Sequence, residues 1–304
     1  MPVPFAQSTD LVSAGSLAWA GLLAFLVLMI LVDLRVGSPQ GEMTFRLASI
    51  WSAIWIGLAV AFGAGLWLSQ GAEAGEAYLA GYVMERALSL DNVFVFTLIF
   101  AALAVPRRDQ PRVLLYGIVI ALVLRGVFIL AGAEALERFS WVAWPFAALL
   151  AWTGWRILRG SGEHDEGARI VERIRARFPG AKPAVLGLLA VALADVLFAV
   201  DSVPAVLAIT TDTFIVFAAN AFALLGLRAL FFLVSGLVAR FRYLNAALGV
   251  LLLAIAAKLA HGELTHEKIP TSVTLAVIAG VLAVAIVASV LAERAGAPEP
   301  QEGG

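Results

Sequence analysis

The chain has 304 residues and 32.1 kDa, is 62% hydrophobic and 14% charged, and carries a net charge of −1 from 21 basic and 22 acidic residues. A mean hydropathy of +0.93 is more apolar surface than a soluble fold of this size hides from water. The balanced charge excludes bulk attraction to nucleic acid, and the absence of cysteine excludes disulfides, thiolate metal sites, iron–sulfur clusters and cysteine nucleophiles.

A helix needs about 20 apolar residues to cross the hydrocarbon. In chain order such stretches lie near 14–34, 48–69, 77–104, 111–133, 139–158, 184–209, 213–236, 242–260 and 271–292. Turn and charge signals separate them at Gly37-Ser38-Pro39, Pro106-Arg107-Arg108, Gly160-Ser161-Gly162 and Pro270. The expectation is an all-α polytopic membrane protein of about nine transmembrane helices, one transmembrane domain over 1–304. The sizeable loop, 159–183, is assigned to the cytoplasm, and its charged core, Glu166 to Phe178, predicts a short surface helix. The tail 295–304 is rich in Gly, Pro and Glu and reads as disordered. No lysine or arginine precedes Arg35, so the basic start of a signal peptide is missing.

The basic residues orient these spans. With the N-terminus outside, the inner loops hold 15 of the 21 lysines and arginines. The outer loops hold Arg138, Lys258 and Lys268, and Arg86, Arg125 and Arg228 fall inside spans. This bias predicts an N-out, C-in protein of the plasma (inner) membrane. Four tryptophans near predicted span ends, Trp51, Trp67, Trp141 and Trp144, fit interfacial anchoring.

The chain also repeats itself. Glu85-Arg-Ala-Leu-Ser-Leu-Asp91-Asn92-Val93 resembles Asp195-Val-Leu-Phe-Ala-Val-Asp201-Ser202-Val203. Downstream, Leu124-Arg125-Gly-Val-Phe128 matches Leu227-Arg228-Ala-Leu-Phe231, and Arg138-Phe139 matches Arg240-Phe241. Each copy covers three spans, 77–158 and 184–260, and the spans at 14–34, 48–69 and 271–292 are peripheral. Three is odd, so the second copy enters the membrane from the opposite side. Such inverted repeats build transporters with a midplane site between the halves.

Buried charge locates that site. Glu85, Asp91, Asp195 and Asp201 all fall inside spans, where a carboxylate costs at least roughly 2.5–3.5 kcal/mol. Pairing, water or a cation must offset that. Arg125 could neutralise Asp91 or Glu85, and Arg228 could neutralise Asp201 or Asp195, either as gates or as plain helix clamps. Arg86 lies near enough to the outer surface to snorkel. An i, i+6 spacing sets the two acids of each copy about 120° apart on a straight helix. Either both line a wide seam or the helix breaks between them, and Pro204 marks either a break or a packing kink.

Asn92 and Ser202 supply neutral oxygens beside the acids, and Asn220 is a further ligand or a helix–helix contact. A site of carboxylate, amide, hydroxyl and carbonyl oxygen suits Mn²⁺, Mg²⁺ or Ca²⁺. The metal ligand set is therefore Glu85, Asp91, Asn92, Asp195, Asp201 and Ser202. Protons compete for the same carboxylates, and metal binding needs them deprotonated, which suits metal–proton exchange. His261, Glu263, His266 and Glu267 form a polar outer loop that could hold a metal loosely. Glu134 and Glu137 lie near the outer end of the fourth span. No Walker-type phosphate loop, dinucleotide fingerprint or nucleophile motif is present, so no enzymatic activity is expected.

The two acidic motifs, with Leu227-Arg228-Ala-Leu-Phe231 and the Phe214-Ile-Val-Phe217 stretch before it, resemble the signatures of the TerC family over roughly 15–292. That family is named for tellurium resistance, has members tied to manganese export and is grouped with LysE-type cation exporters. The resemblance implies Mn²⁺ efflux, with Asp91, Asn92, Asp201 and Ser202 as signature positions and Glu85 and Asp195 as matching acids. Many members carry Glu three residues before the second motif's first Asp. Here that position is Ala192, one acid fewer.

Two readings compete with a secondary transporter exporting Mn²⁺, or also Ca²⁺. One is a non-transporting partner for metal loading or membrane assembly, docking through 163–182. The other is a proton relay. The lipid bilayer is the certain partner, and homo-oligomerisation is left open.

Overall fold

The computed structural model describes residues 11–12, 14–36, 44–159, 163–234, 243–265, 267 and 269–296. Among these, the side chains of Leu34, Val36, Asp91, Phe94, Ser140 and Val234, and those of 163–166 and 293–296, are not described. The described residues form helices α1 (Ser16–Val36), α2 (Phe45–Gln70), α3 (Ala72–Ala102), α4 (Gln110–Arg138), α5 (Ala143–Leu158), α6 (Glu163–Arg177), α7 (Pro183–Leu207), α8 (Thr213–Leu225), α9 (Leu227–Val234), α10 (Leu244–Thr265) and α11 (Thr271–Gly296). A short 3-10 turn, Ser140–Val142, precedes α5, and no strand occurs among the described residues. The residues beyond 296 read as a disordered tail lie outside the described residues.

Local chemistry sets the boundaries. Thr44 caps α2 by accepting from the Leu47 N–H at 3.3 Å. Gly71 alone joins α2 to α3 at a φ of 101°, a left-handed conformation that glycine adopts without a Cβ penalty. Prolines at the first turns of α4 and α7 start those helices where the missing N–H has no partner to lose. Asp212 caps α8 by accepting from the Ile215 N–H at 3.0 Å. Its other oxygen accepts from the Val12 N–H at 2.9 Å, which pins the N-terminal segment to that turn.

Among the described residues, six helices are long and apolar enough to span a membrane. The pair α8 and α9, bent by 41° at Gly226, makes a seventh. This falls short of nine. Two expected spans fail on different grounds: α3 carries Glu73, Glu76, Glu85, Arg86 and Asp91, and α5 has only 16 residues. The bilayer is the solvent of the outer surface. Leu17, Val27 and Leu28 of α1 and Val284, Val287 and Leu291 of α11 are exposed, which water would penalise and lipid does not.

Packing is most intimate at the centre. α3 packs on α8, α4 on α7, α3 on α7, α4 on α8 and α5 on α10. The α5–α10 contact rests on facing glycines. A Cβ on Gly154 would stand 2.7 Å from the Gly249 carbonyl, and one on Gly249 would stand 2.9 Å from the Gly154 carbonyl. Only glycine permits so close a backbone approach, as is common between membrane helices. The surface helix expected over Glu166 to Phe178 is α6. Its Ile170, Val171 and Ile174 are buried on α3 and α7, so that apolar face is already occupied.

Candidate functional site

Four helices meet at one guanidinium. Arg125 of α4, Glu85 of α3, Asp195 of α7 and Asn220 of α8 are all essentially inaccessible. Arg125 Nη1 donates to Glu85 Oε1 and, at 2.9 Å, to Asn220 Oδ1. Its Nη2 and Nε donate to the two oxygens of Asp195 at 3.2 and 3.4 Å. Asn220 is itself oriented by donating to the Val216 carbonyl at 3.0 Å. The planar fork of arginine suits this work, since it can hold a carboxylate at two points and keep donors for others. Ionised, the centre bears one positive charge against two negative ones.

Helical register sets further polar groups on the faces that carry Glu85 and Asp195. Glu85, Ser89 and Asn92 are spaced i, i+4, i+7 on α3, and Asp195 and Ser202 are spaced i, i+7 on α7, so each set shares a face. Ser89, Asn92 and Ser202 are buried. The Ser202 hydroxyl adjoins Glu85, yet neither it nor Glu85 Oε2 closes a normal hydrogen bond. Ser89 Oγ and Asn92 Nδ2 are likewise buried with no hydrogen-bond partner. Orphaned buried polar atoms are rare, and those on the helix faces that carry Glu85 and Asp195 call for an explanation. A cavity of about 10 Å³ beside Asp195, walled by α3, α4, α7 and α9, is about the space of one water.

The second acid of the second motif points elsewhere. Asp201 accepts from the Thr153 hydroxyl of α5 at 3.1 Å and lines a cleft between α5, α6 and α7. α7 is continuous through both acids, so the 120° separation stands and the helix does not break between them. Pro204 lies inside α7 near its end, and its carbonyl still accepts from the Ala208 N–H at 2.9 Å. The break lies instead at Gly226, between α8 and α9. In the first motif α3 is also continuous, and the Asp91 side chain lies outside the described residues.

The other arginines depart from expectation. Arg228 pairs with neither Asp201 nor Asp195. It holds Asp33 of α1, with Nε 3.1 Å from Oδ2 and Nη2 donating to the Asp33 carbonyl at 2.6 Å. The cause is the bend at Gly226, which starts a new helix, α9, with Arg228 in its first turn. Arg86 does not snorkel outwards. Its Nη1 donates at 2.9 Å to the Ala223 carbonyl, in the turn of α8 that the bend leaves open. Gly226 faces that guanidinium, and a Cβ there would stand 2.9 Å from Nη1.

Sequence reasoning missed Asp33 and Thr153 as partners, and Ser89 as a buried polar group. Asp33 offered a signal, an acid two residues before Arg35 in an apolar run. Thr153 offered only a hydroxyl in an apolar helix. The outer features are peripheral: His261 is exposed, His266 lies outside the described residues, and Glu134 pairs with Arg138 on the surface. Among the described residues no three His, Asp or Glu side chains converge as a metal site.

Comparison with known proteins agrees with the motifs. The model of the integral membrane protein TerC family matches residues 70–297. The chain is 41% identical to "Uncharacterized membrane protein STKORF319" of Myxococcus xanthus, over 91% of this chain and 92% of that protein. It is 36% identical to "Putative membrane-bound redox modulator Alx" of Escherichia coli K12, over 88% and 92%. It is 33% identical to "Tellurium resistance protein TerC" of Serratia marcescens, over 90% and 93%. No solved structure matches it. The protein is a multi-pass membrane protein and belongs to the TerC family.

Proposed function

We propose that the protein is a secondary transporter exporting divalent cations, with Mn²⁺ the best-matched cargo and Ca²⁺ the next. The observation that carries this reading is the Glu85–Asp195 pair, buried against a single arginine, with Ser202 beside Glu85 and the unpartnered Ser89 and Asn92 on the same face of α3. Two carboxylates and one guanidinium leave a formal surplus of one negative charge, which only a cation or a proton can offset in a dry interior. The donors are oxygens of carboxylate, hydroxyl and amide, which suit Mn²⁺, Mg²⁺ and Ca²⁺ better than softer metals.

Arg125 acts as the internal substitute for the cargo. It bonds to both acids in the state described, and withdrawal from Glu85 frees a carboxylate next to Ser202. Asp201, on the cleft side of α7, and Asp91 serve as the next stations. This reading takes α3 and α5 as spans too, which restores nine and makes α3–α5 and α7–α10 inverted repeats. The 31 residues of α3 reach about 46 Å, ample to cross, and its charges Glu85 and Arg86 bond to other helices rather than face lipid. The reciprocal packing of α3 on α8 and α4 on α7, with α5 on α10, supports the repeat.

The names of the relatives point to redox and tellurium. A chain without cysteine performs no thiol exchange of its own, and a core with surplus negative charge repels an oxyanion such as tellurite. Cation export fits the residues better. The test is Mn²⁺ uptake into proteoliposomes or inside-out vesicles, comparing the native chain with Asp91→Asn plus Asp201→Asn. The reading expects flux in the first and loss in the second, and it fails if the variant transports like the native chain.

A further inference from the structure

The span made by α8 and α9 bends by 41° at Gly226, and its own sequence does not force the bend. None of residues 213–234 is proline. Gly226 itself sits at φ −82° and ψ 0°, which needs no left-handed backbone. A sharp kink also arises where a side chain enters the hydrogen-bond ladder of a helix, and Arg86 of α3 is such a side chain. In an unbroken helix the Ala223 carbonyl accepts from the Leu227 N–H. Here Arg86 Nη1 donates to it at 2.9 Å.

The guanidinium reaches that carbonyl because residue 226 has no side chain. A Cβ there would stand 2.9 Å from Nη1, 3.1 Å from Nη2 and 3.1 Å from the Trp55 Cβ. The hold is a single hydrogen bond. Arg86 Nη2 is buried with no hydrogen-bond partner, and no carboxylate pairs with Arg86 among the described residues. One bond to a neutral carbonyl is released more readily than the two-point grip of Arg125 on Asp195. The position also links the bend to the acid centre. Arg86 follows Glu85 in α3, and Ala223 lies three residues beyond Asn220 in α8. Glu85 and Asn220 both bond to Arg125. Past the bend, α9 packs on α2, and its Arg228 holds Asp33 of α1.

We propose that Gly226 is a hinge and that Arg86 is its latch. With the latch closed, α8 and α9 stay bent. When it opens, the Ala223 carbonyl takes the Leu227 N–H, and α8 and α9 run on as one helix. Arg86 bonds to neither carboxylate of the centre, so it is a positioning residue: it sets where α9 and Arg228 stand relative to Asn220. This inference rests on the transport reading and names a part that moves in that cycle. Straightening by the full 41° carries Leu233, seven residues past the hinge, through about 7 Å.

The test is pulsed electron–electron distance measurement on the full chain in lipid nanodiscs, without cargo. The chain has no cysteine, so introduced cysteines alone carry the spin labels. Leu233→Cys on α9 is paired in turn with Val185→Cys and Leu158→Cys, at exposed sites on α7 and α5. Arg86→Met is expected to move the ratio of bent to straight distances about tenfold, the worth of one hydrogen bond from a charged donor. Arg86→Lys keeps a donor and should stay near the native ratio. Gly226→Ala expels the guanidinium and should act like Arg86→Met, which keeps the test open should Arg86→Met fail to fold. With no cargo present, these distances report the hinge whether or not the chain carries Mn²⁺. In proteoliposomes Arg86→Met should lower Mn²⁺ flux about tenfold, following that ratio, with equilibrium Mn²⁺ affinity unchanged. Native distances in Arg86→Met or Gly226→Ala, or equal shifts from Arg86→Met and Arg86→Lys, would overturn the proposal. So would a loss of Mn²⁺ affinity in step with flux.

Discussion

Arg125 and Arg228 hold matching positions in the two copies of the proposed repeat, and each is buried against acid. Arg125 is shared by two carboxylates and an amide from three other helices. Arg228 faces one carboxylate, Asp33, together with that residue's own carbonyl on peripheral α1. The charge at Arg228 is balanced one to one, which suits a clamp. The charge at Arg125 is not, and the surplus is negative. The two arginines thus have different partners, and Arg228 lies just past the bend at Gly226, in the first turn of α9.

The sharpest way to break this comparison is to remove each arginine in turn. Arg125→Gln strands two buried carboxylates, and uncompensated buried charge costs about 3–5 kcal/mol. We expect it to unfold at markedly lower denaturant or temperature in detergent. Neutralising the stranded acids as well, by Glu85→Gln plus Asp195→Asn, should recover much of that loss. No recovery in the triple variant would mean that Arg125 serves packing rather than charge.

Arg228→Gln should cost less, about 1.5–3 kcal/mol for hydrogen bonds to a charged group. The smaller figure follows because a Gln amide, standing where Nε stands, can still donate to the Asp33 carboxylate. Cation flux per folded protein should survive. A comparable packing test is Gly154→Val, whose side chain meets the Gly249 carbonyl; overpacking there should cost about 1–3 kcal/mol. The smallest expected effect is Thr153→Val. It removes one hydrogen bond to Asp201, worth about 0.6 kcal/mol between membrane helices. Its value lies in the readout, since a change in Mn²⁺ affinity larger than the change in stability places Asp201 on the ion path.

Much of this was legible in the sequence. Composition gave the membrane class, and the repeated acids gave Glu85 and Asp195, because charge in an apolar run is too costly to be incidental. The 120° argument correctly separated Asp195 from Asp201, since register is a property of the helix alone. Partners were harder. Arg228 and Asp33 are 195 residues apart, and nothing local links them. Pro204 admitted either a break or a packing kink; α7 runs on through it, and the bend lies at Gly226 instead. The sequence reading of nine spans exceeds the six or seven that the described helices support, since α3 is too charged and α5 too short for those criteria.

The central claim is that the cation passes through the unbalanced centre at Arg125 and not past the balanced pair at Arg228. The most direct test is Mn²⁺ uptake into proteoliposomes holding equal amounts of folded native chain, Asp195→Asn or Arg228→Gln. Asp195→Asn leaves Glu85 to neutralise Arg125, so the variant should fold. The account predicts that Asp195→Asn lowers uptake by about tenfold or more, as for loss of a group at a metal site, while Arg228→Gln keeps near-native uptake. Native uptake by Asp195→Asn, or equal loss in both variants, would contradict it.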